Sequence, residues 1–211
     1  MPECKKIITH KPNDAKTYYN LGMAYYKKCE YDRAIAAFSE TIKRDPDHFE
    51  AYHNRGNAYC DELDFEKAIV DYTKAIEIKP DYAEAYYSRG KVYTEYDARN
   101  KAITDFGMAI KFDSEHADAH GYRADLYREK GEYDKAIEGY SMEVELRPDY
   151  AEVYFDRGTV YLKKGEYDRA LEDFNKAVEL IPTFTKVYAK RARTYSHLGE
   201  FELAVQDYNK C

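Results

Sequence analysis

A chain of 211 residues with 33 basic and 40 acidic side chains, net charge −7, lacks the basic surplus that holds nucleic-acid phosphates. Only six prolines and ten glycines interrupt it and tyrosine is abundant at 24, so the composition is that of a folded chain, not a disordered one. Four scattered cysteines, Cys4, Cys29, Cys60 and Cys211, form no CxxC pair and point to neither a zinc site nor a disulfide framework.

Residues 1–14 read as the last turns of a second helix, because Pro12 stands 34 residues before Pro46. From Ala15 the same period cuts the chain into 15–48, 49–82, 83–116, 117–150, 151–184 and an incomplete 185–211. Position 4 of these segments holds Tyr18, Tyr52, Tyr86, His120, Tyr154 and Tyr188; position 8 holds Gly22, Gly56, Gly90, Ala124, Gly158 and Ala192. Tyrosine fills position 11 throughout, from Tyr25 to Tyr195, and alanine fills position 20, from Ala34 to Ala204. An aromatic ring follows at position 24, and Pro46, Pro80, Pro148 and Pro182 close four segments.

Positions 4 and 11 lie one heptad apart on one helix face, and positions 17, 20, 24 and 28 form a second helical stripe. Each segment is therefore predicted to be a helical hairpin. Small residues at 8 and 20 let the two backbones approach, rings fill the remaining volume, and proline stops the second helix.

Two departures and one pairing stand out. The third segment ends in Ser114 and carries Asp97 and Arg99 in its turn; the fourth carries Glu143 where small residues stand elsewhere. Gly107, Gly121 and Gly139 fall inside predicted helices, at about 1 kcal/mol each relative to alanine, so the junction of the third and fourth segments reads as the softest. Arginine at position 7 (Arg55, Arg89, Arg123, Arg157, Arg191) accompanies aspartate at position 23 (Asp71, Asp105, Asp173, Asp207), which predicts an ion pair between the two helices of a hairpin.

Residues at these eight positions resemble the tetratricopeptide repeat, a 34-residue helix-turn-helix unit. The resemblance implies an all-α fold, a right-handed α-solenoid (superhelix) of about six repeats, with both ends cut through a repeat and no polar capping helix. It implies a concave wall lined by the first helices, with ligand contacts from positions 2, 5, 6, 9, 12 and 13. The candidates in the first three repeats are Tyr19, Asn20 and Met23; Glu50, His53, Asn54 and Asn57; Glu84, Tyr87, Ser88 and Lys91. In the last three they are Tyr122 and Asp125, Phe155 and Asp156, and Lys190 and Arg193. Aromatic platforms alternating with amides suit an extended segment or a helix laid in a groove.

The carboxylate clamp of chaperone-binding relatives is matched from the first repeat by Asn54 alone, from the second by Asn57 alone and from the fourth by Lys186 alone, so capture of chaperone acidic tails is not expected. Glu50, Glu84, Asp118 and Glu152 occupy position 2 of the middle repeats and favour a basic or neutral partner segment.

Chemistry has little to stand on. His116, Asp118 and His120 form an HxDxH string, but one histidine falls in a loop and the other replaces a packing tyrosine. No P-loop, GxSxG, HExxH or dinucleotide motif occurs. The expectation is a non-catalytic protein-protein interaction scaffold with no cofactor or metal, no nucleic-acid or membrane partner, and a cytoplasmic location. Alternatives are the targeting or regulatory region of a larger enzyme, or a structural array self-associating through uncapped ends.

Overall fold

A computed structural model describes residues 14–211. Residues 1–13, and with them nearly all of the expected preceding helix, lie outside it. Among the described residues there are twelve helices and no strand. They are α1 (Ala15–Tyr26), α2 (Tyr31–Arg44), α3 (Phe49–Asp61), α4 (Phe65–Ile78), α5 (Ala83–Glu95) and α6 (Arg99–Phe112), then α7 (Ala117–Glu129), α8 (Tyr133–Leu146), α9 (Ala151–Lys164), α10 (Tyr167–Leu180), α11 (Thr185–Leu198) and α12 (Phe201–Tyr208). Two compact units divide between Ser114 and Glu115, at the junction that the sequence marks as softest.

In the first unit α1 packs on α2, α3 on α4 and α5 on α6, while α2 lies on α3 and α4 on α5. The first helices α1, α3 and α5 also touch in sequence. In the second unit α7/α8, α9/α10 and α11/α12 pair in the same way, α8 lies on α9, α10 on α11, and α9 touches α11. Each unit is thus a stack of helical hairpins.

The seam explains the small residues. A Cβ on Gly56 would sit 2.7 Å from the Tyr72 ring, one on Gly90 2.9 Å from Phe106 and one on Gly158 2.9 Å from Phe174. These rings are buried, so glycine at position 8 is what lets the position-24 ring lie flat against the opposing backbone. The expected cost of helical glycine is corrected at two places. A Cβ on Gly139 would meet Ala124 Cβ at 2.9 Å and the His120 carbonyl at 3.1 Å, and one on Gly121 would overlap the Glu143 carboxylate. Alanine at 139 is obstructed by backbone whatever its helix propensity, while at 121 it can enter only by displacing the end of the Glu143 side chain.

Hairpin turns share one geometry. Position 15 has φ of 58° at Cys29, 63° at Leu63 and 54° at Asp97, then 76°, 79° and 80° at Gly131, Gly165 and Gly199. All six are left-handed, the conformation in which a helix commonly terminates. Tyrosines at position 4 secure the other end: the hydroxyls of Tyr86, Tyr154 and Tyr188 donate to the carbonyls of Pro80, Pro148 and Pro182.

The predicted ion pairs form, and each does more than the spacing suggested. Arg55 binds Asp71 through two parallel bonds of 2.7 and 2.8 Å, and Arg89, Arg157 and Arg191 bind Asp105, Asp173 and Asp207 likewise. A third donor on each arginine reaches the preceding hairpin, at Ser39, Thr73, Ser141 and Asn175. One guanidinium therefore ties three helices. Arg123 is the exception, since Gly139 and Gly107 stand at the two corresponding positions.

Candidate functional site

The first-helix faces carry the candidates, and their side chains fall into three states. Asn20, Glu84, Lys91, Tyr122 and Arg193 are exposed. Tyr19, Met23, Glu50, Asn54, Asn57, Tyr87, Ser88, Asp125, Phe155, Asp156 and Lys190 are half-buried, and His53 is buried. Position 5 is a seam position: Tyr19, His53, Tyr87 and Phe155 lean on the position-24 rings of Phe38, Tyr72, Phe106 and Phe174 at centroid distances of 5.9, 5.6, 5.9 and 6.3 Å.

In the first unit the amides expected to meet a peptide backbone are engaged within the chain. Asn54 donates to Tyr19 Oη at 3.0 Å and to the Glu50 carbonyl at 2.8 Å, and Asn57 Oδ1 accepts from the Tyr72 hydroxyl at 2.8 Å. The Asn57–Tyr72 bond joins the two helices of one hairpin, and the Asn54–Tyr19 bond joins neighbouring first helices. His53 does the same, with Nε2 3.0 Å from Ser88 Oγ and Nδ1 3.2 Å from Tyr82 Oη.

This Ser–His–Tyr contact has the outline of a nucleophile and its base, but the chemistry is wrong for that task. Burial pulls the His53 imidazole down to about 4 and pushes the Tyr82 phenol up to about 12, so the histidine is a weak base held by a neutral orienter. Ser88 also lies inside α5, where backbone amides are consumed by the helix and cannot form an oxyanion hole. A cleft of about 220 Å³ opens beside it, lined in part by Asn57, Cys60, Asp61, Lys91 and Glu95, of mixed charge.

The second unit differs in its electrostatics. A cleft of about 260 Å³ between α7, α8 and α9 is lined by Asp118, Asp125, Glu143, Glu152 and Asp156, with Gly121, Tyr122, Tyr140, Tyr150 and Val153. It exists because two positions trade volume. Position 5 holds a ring in four other repeats and Gly121 here; position 27 holds Thr41, Ala75, Ala109 or Ala177 elsewhere and Glu143 here. The glutamate occupies the space of the missing ring.

Two arginines partly offset the five carboxylates. Arg128 bonds Asp125 at 2.6 Å and Asp156 at 3.1 Å; Arg147 bonds Asp118 at 2.5 Å and stands 3.3 Å from Glu143. Asp125 also accepts from the Tyr140 hydroxyl at 2.7 Å. Burial, only partly opposed by Arg147, pushes the Glu143 carboxyl up to about 7, and burial against Arg128 pushes Asp156 up to about 6. Position arithmetic supplied Tyr122, Asp125 and Asp156, and Asp118 and Glu152 at position 2, but not Glu143 or Tyr150 as lining groups. The signal available was the paired exchange of glycine and glutamate within one repeat.

His116 caps α7, its Nδ1 accepting from the Ala119 amide at 3.3 Å, and His120 is buried in the helix. Among the described residues no cluster of histidine, cysteine and carboxylate has metal-holding geometry, and no helix is long and apolar enough to cross a membrane. Cys29, Cys60 and Cys211 are free thiols.

Family profiles described as tetratricopeptide repeat match residues 15–48 and 151–184, a TPR repeat profile matches 56–95 and 124–165, and a further tetratricopeptide repeat profile matches 185–211. No curated protein sequence matches significantly. Among solved structures, MamA is 31% identical with a TM-score of 0.72, covering 82% of this chain and 94% of its own. YrrB, described as a TPR protein with an unusual peptide-binding site, is 22% identical with a TM-score of 0.73 over 87% and 95%. PilF of Pseudomonas aeruginosa is 15% identical with a TM-score of 0.76 over 92% and 88%, a likeness of fold alone. Repeat profiles that together span most of the chain, the glycine-on-ring hairpin seam and the MamA likeness lead to one conclusion: the chain belongs to the tetratricopeptide repeat family.

Proposed function

We propose that the chain is a non-catalytic protein-interaction scaffold that receives an extended segment or helix of a partner on its first-helix faces, with preference for a basic or neutral segment. The observation that carries this reading is the acidic cleft of the second unit, where five carboxylates meet two arginines between the first helices α7 and α9 and the second helix α8. Surrounding exposed or half-buried residues, Tyr122, Phe155 and Asp156, supply contact area, and in the first unit Asn20, Glu84 and Lys91 face solvent. The description of YrrB as having a peptide-binding site points the same way.

Titration of the labelled protein with a Lys/Arg-rich peptide tests the proposal. Resonances of α7 and α9 should shift, and affinity should fall as salt screens the exposed carboxylates. Binding indifferent to salt would remove the acidic preference, and an absence of shifts on any first helix would remove the scaffold reading.

One observation favours a second reading, association between copies. Phe201 is 67% exposed, Val205 58% and Tyr208 50%, which leaves α12 with an apolar outer face. Sedimentation across a concentration series, with Phe201→Lys as control, tests it; a concentration-independent monomer ends it.

A further inference from the structure

We propose that the cleft between α7, α8 and α9 is a receptor for one arginine side chain of the partner segment, with the Glu143 carboxylate as its floor. This rests on the scaffold reading and narrows it to a chemical class at a stated place.

Carboxylates on a helical surface are ordinarily solvated, and their number alone means nothing. Glu143 is different in kind. It is 6% exposed, yet it lines the cleft, and its carboxylate takes part in no hydrogen bond within the chain; Arg147, at 3.3 Å from Oε1, is its single charged partner and is already committed to Asp118. A carboxylate so far from water normally gathers two or three donors. Here Oε2 accepts from nothing and faces the backbone of Gly121, where a side chain would close the site. The donors that complete it, water in the free chain and a ligand group in the bound one, enter through the cleft.

Three properties select a guanidinium. The cleft, about 260 Å³, falls below the roughly 300–1,000 Å³ usual for whole small-molecule ligands, so it suits a single side chain. Its charged lining is five carboxylates, against Arg128 and Arg147, which bond Asp125, Asp156 and Asp118 and leave Glu152 and the floor unsatisfied by any short ion pair. Tyr122 and Tyr150, 38% and 42% exposed, stand at its rim, and the Tyr150 ring already carries the Arg147 guanidinium 5.3 Å from its centroid, so a planar cation beside an aromatic ring is a geometry this cleft already uses. A forked donor set meets several carboxylates at once, whereas an ammonium meets them as a point charge. The cleft of the first unit, which includes Lys91 among its lining residues, lacks this selectivity.

The test uses the whole labelled chain and three short Gly/Ser/Ala peptides carrying arginine, lysine or the neutral isostere citrulline at the centre, with agmatine as a free guanidinium. The arginine peptide is expected to shift the amides of Gly121, Glu143 and Asp156. Its affinity should exceed that of the citrulline peptide by about tenfold to a hundredfold, the span of one or two charge-assisted bonds. Glu143→Gln, close to isosteric, should abolish most of that advantage, while Glu179→Gln, on the exposed side of α10, should leave it intact. Equal binding of arginine and citrulline peptides, or an advantage that survives Glu143→Gln, overturns the pocket and leaves peptide reception standing. A lysine peptide as tight as the arginine one overturns the guanidinium selection, and agmatine as tight as the peptide overturns the assignment to a partner segment. If no peptide shifts any first helix, pocket and scaffold fall together.

Discussion

Gly121 on α7 faces the carboxylate of Glu143 on α8 with no room for a single additional carbon between them. A small residue opposite a large one at these two positions inverts the arrangement of the neighbouring hairpins, which place Tyr87 or Phe155 opposite Ala109 or Ala177. Gly121→Ala therefore has to push the carboxylate end of Glu143 aside, and is expected to lose the gain of about 1 kcal/mol that alanine's better helix propensity offers. Adding Glu143→Ala should recover most of the loss, and a double-mutant cycle by denaturant unfolding measures the coupling. Independent, additive effects would show that the two residues do not share one space.

The same glutamate sets a pH dependence. Facing it are Asp118 and Asp125 from α7, Arg147 from α8, and Tyr150, Glu152 and Asp156 at and within the start of α9. Burial raises its folded-state value to about 7 from 4.5, so the folded chain holds the proton more tightly than the unfolded one. Its stabilising contribution is then complete below pH 4.5 and is lost as pH rises towards 7. The melting temperature of the native chain should fall between pH 5 and pH 8 by more than that of Glu143→Gln, the difference between the two curves isolating this residue. Parallel curves would contradict the assignment.

Much of this architecture was legible in the chain because hairpin packing is local and periodic. The ring at position 24, the glycine at position 8 and the Arg/Asp spacing each recur with the same neighbours, so one contact read correctly predicts the rest. The third donor of each arginine escaped notice, since Ser39, Thr73, Ser141 and Asn175 share only the ability to accept a hydrogen bond. The face residues were harder for a different reason. Position numbers say which way a side chain points but not whether its polar atoms are already engaged, and Asn54, Asn57 and His53 are engaged by first-helix neighbours or by Tyr72 and Tyr82. Position counting marked Glu143 as a departure but not as a lining group, because its role comes from one exception compensating another.

Ties across three helices predict an asymmetry between breaking and replacing. Asp105 is buried and Arg89 nearly so, with two bonds between them of 2.7 and 2.9 Å. Asp105→Ala strands the guanidinium and should cost about 3 kcal/mol or slightly more, whereas Arg89→Met combined with Asp105→Leu should recover most of it, because desolvation offsets much of a buried pair's attraction. Thermal unfolding of both variants at low and high salt checks this. A double variant as unstable as the single one would mean that the pair contributes net stability rather than orientation.

Turn geometry yields the final expectation. Leu63 adopts φ of 63° while 74% exposed, so it bears the left-handed backbone with little burial in return. In the hairpins of the second unit the equivalent residue is Gly131, Gly165 or Gly199, for which that conformation carries no Cβ penalty. Leu63→Gly should relieve about 1 kcal/mol of strain, set against a smaller loss from the greater freedom of glycine in the unfolded chain. The net effect expected is a small rise in melting temperature. Gly131→Ala, whose Cβ meets nothing within 4 Å, should lower it through backbone strain alone, and opposite signs for the two variants check the argument. If both destabilise, Leu63 draws stability from its side chain and the turn is not under strain.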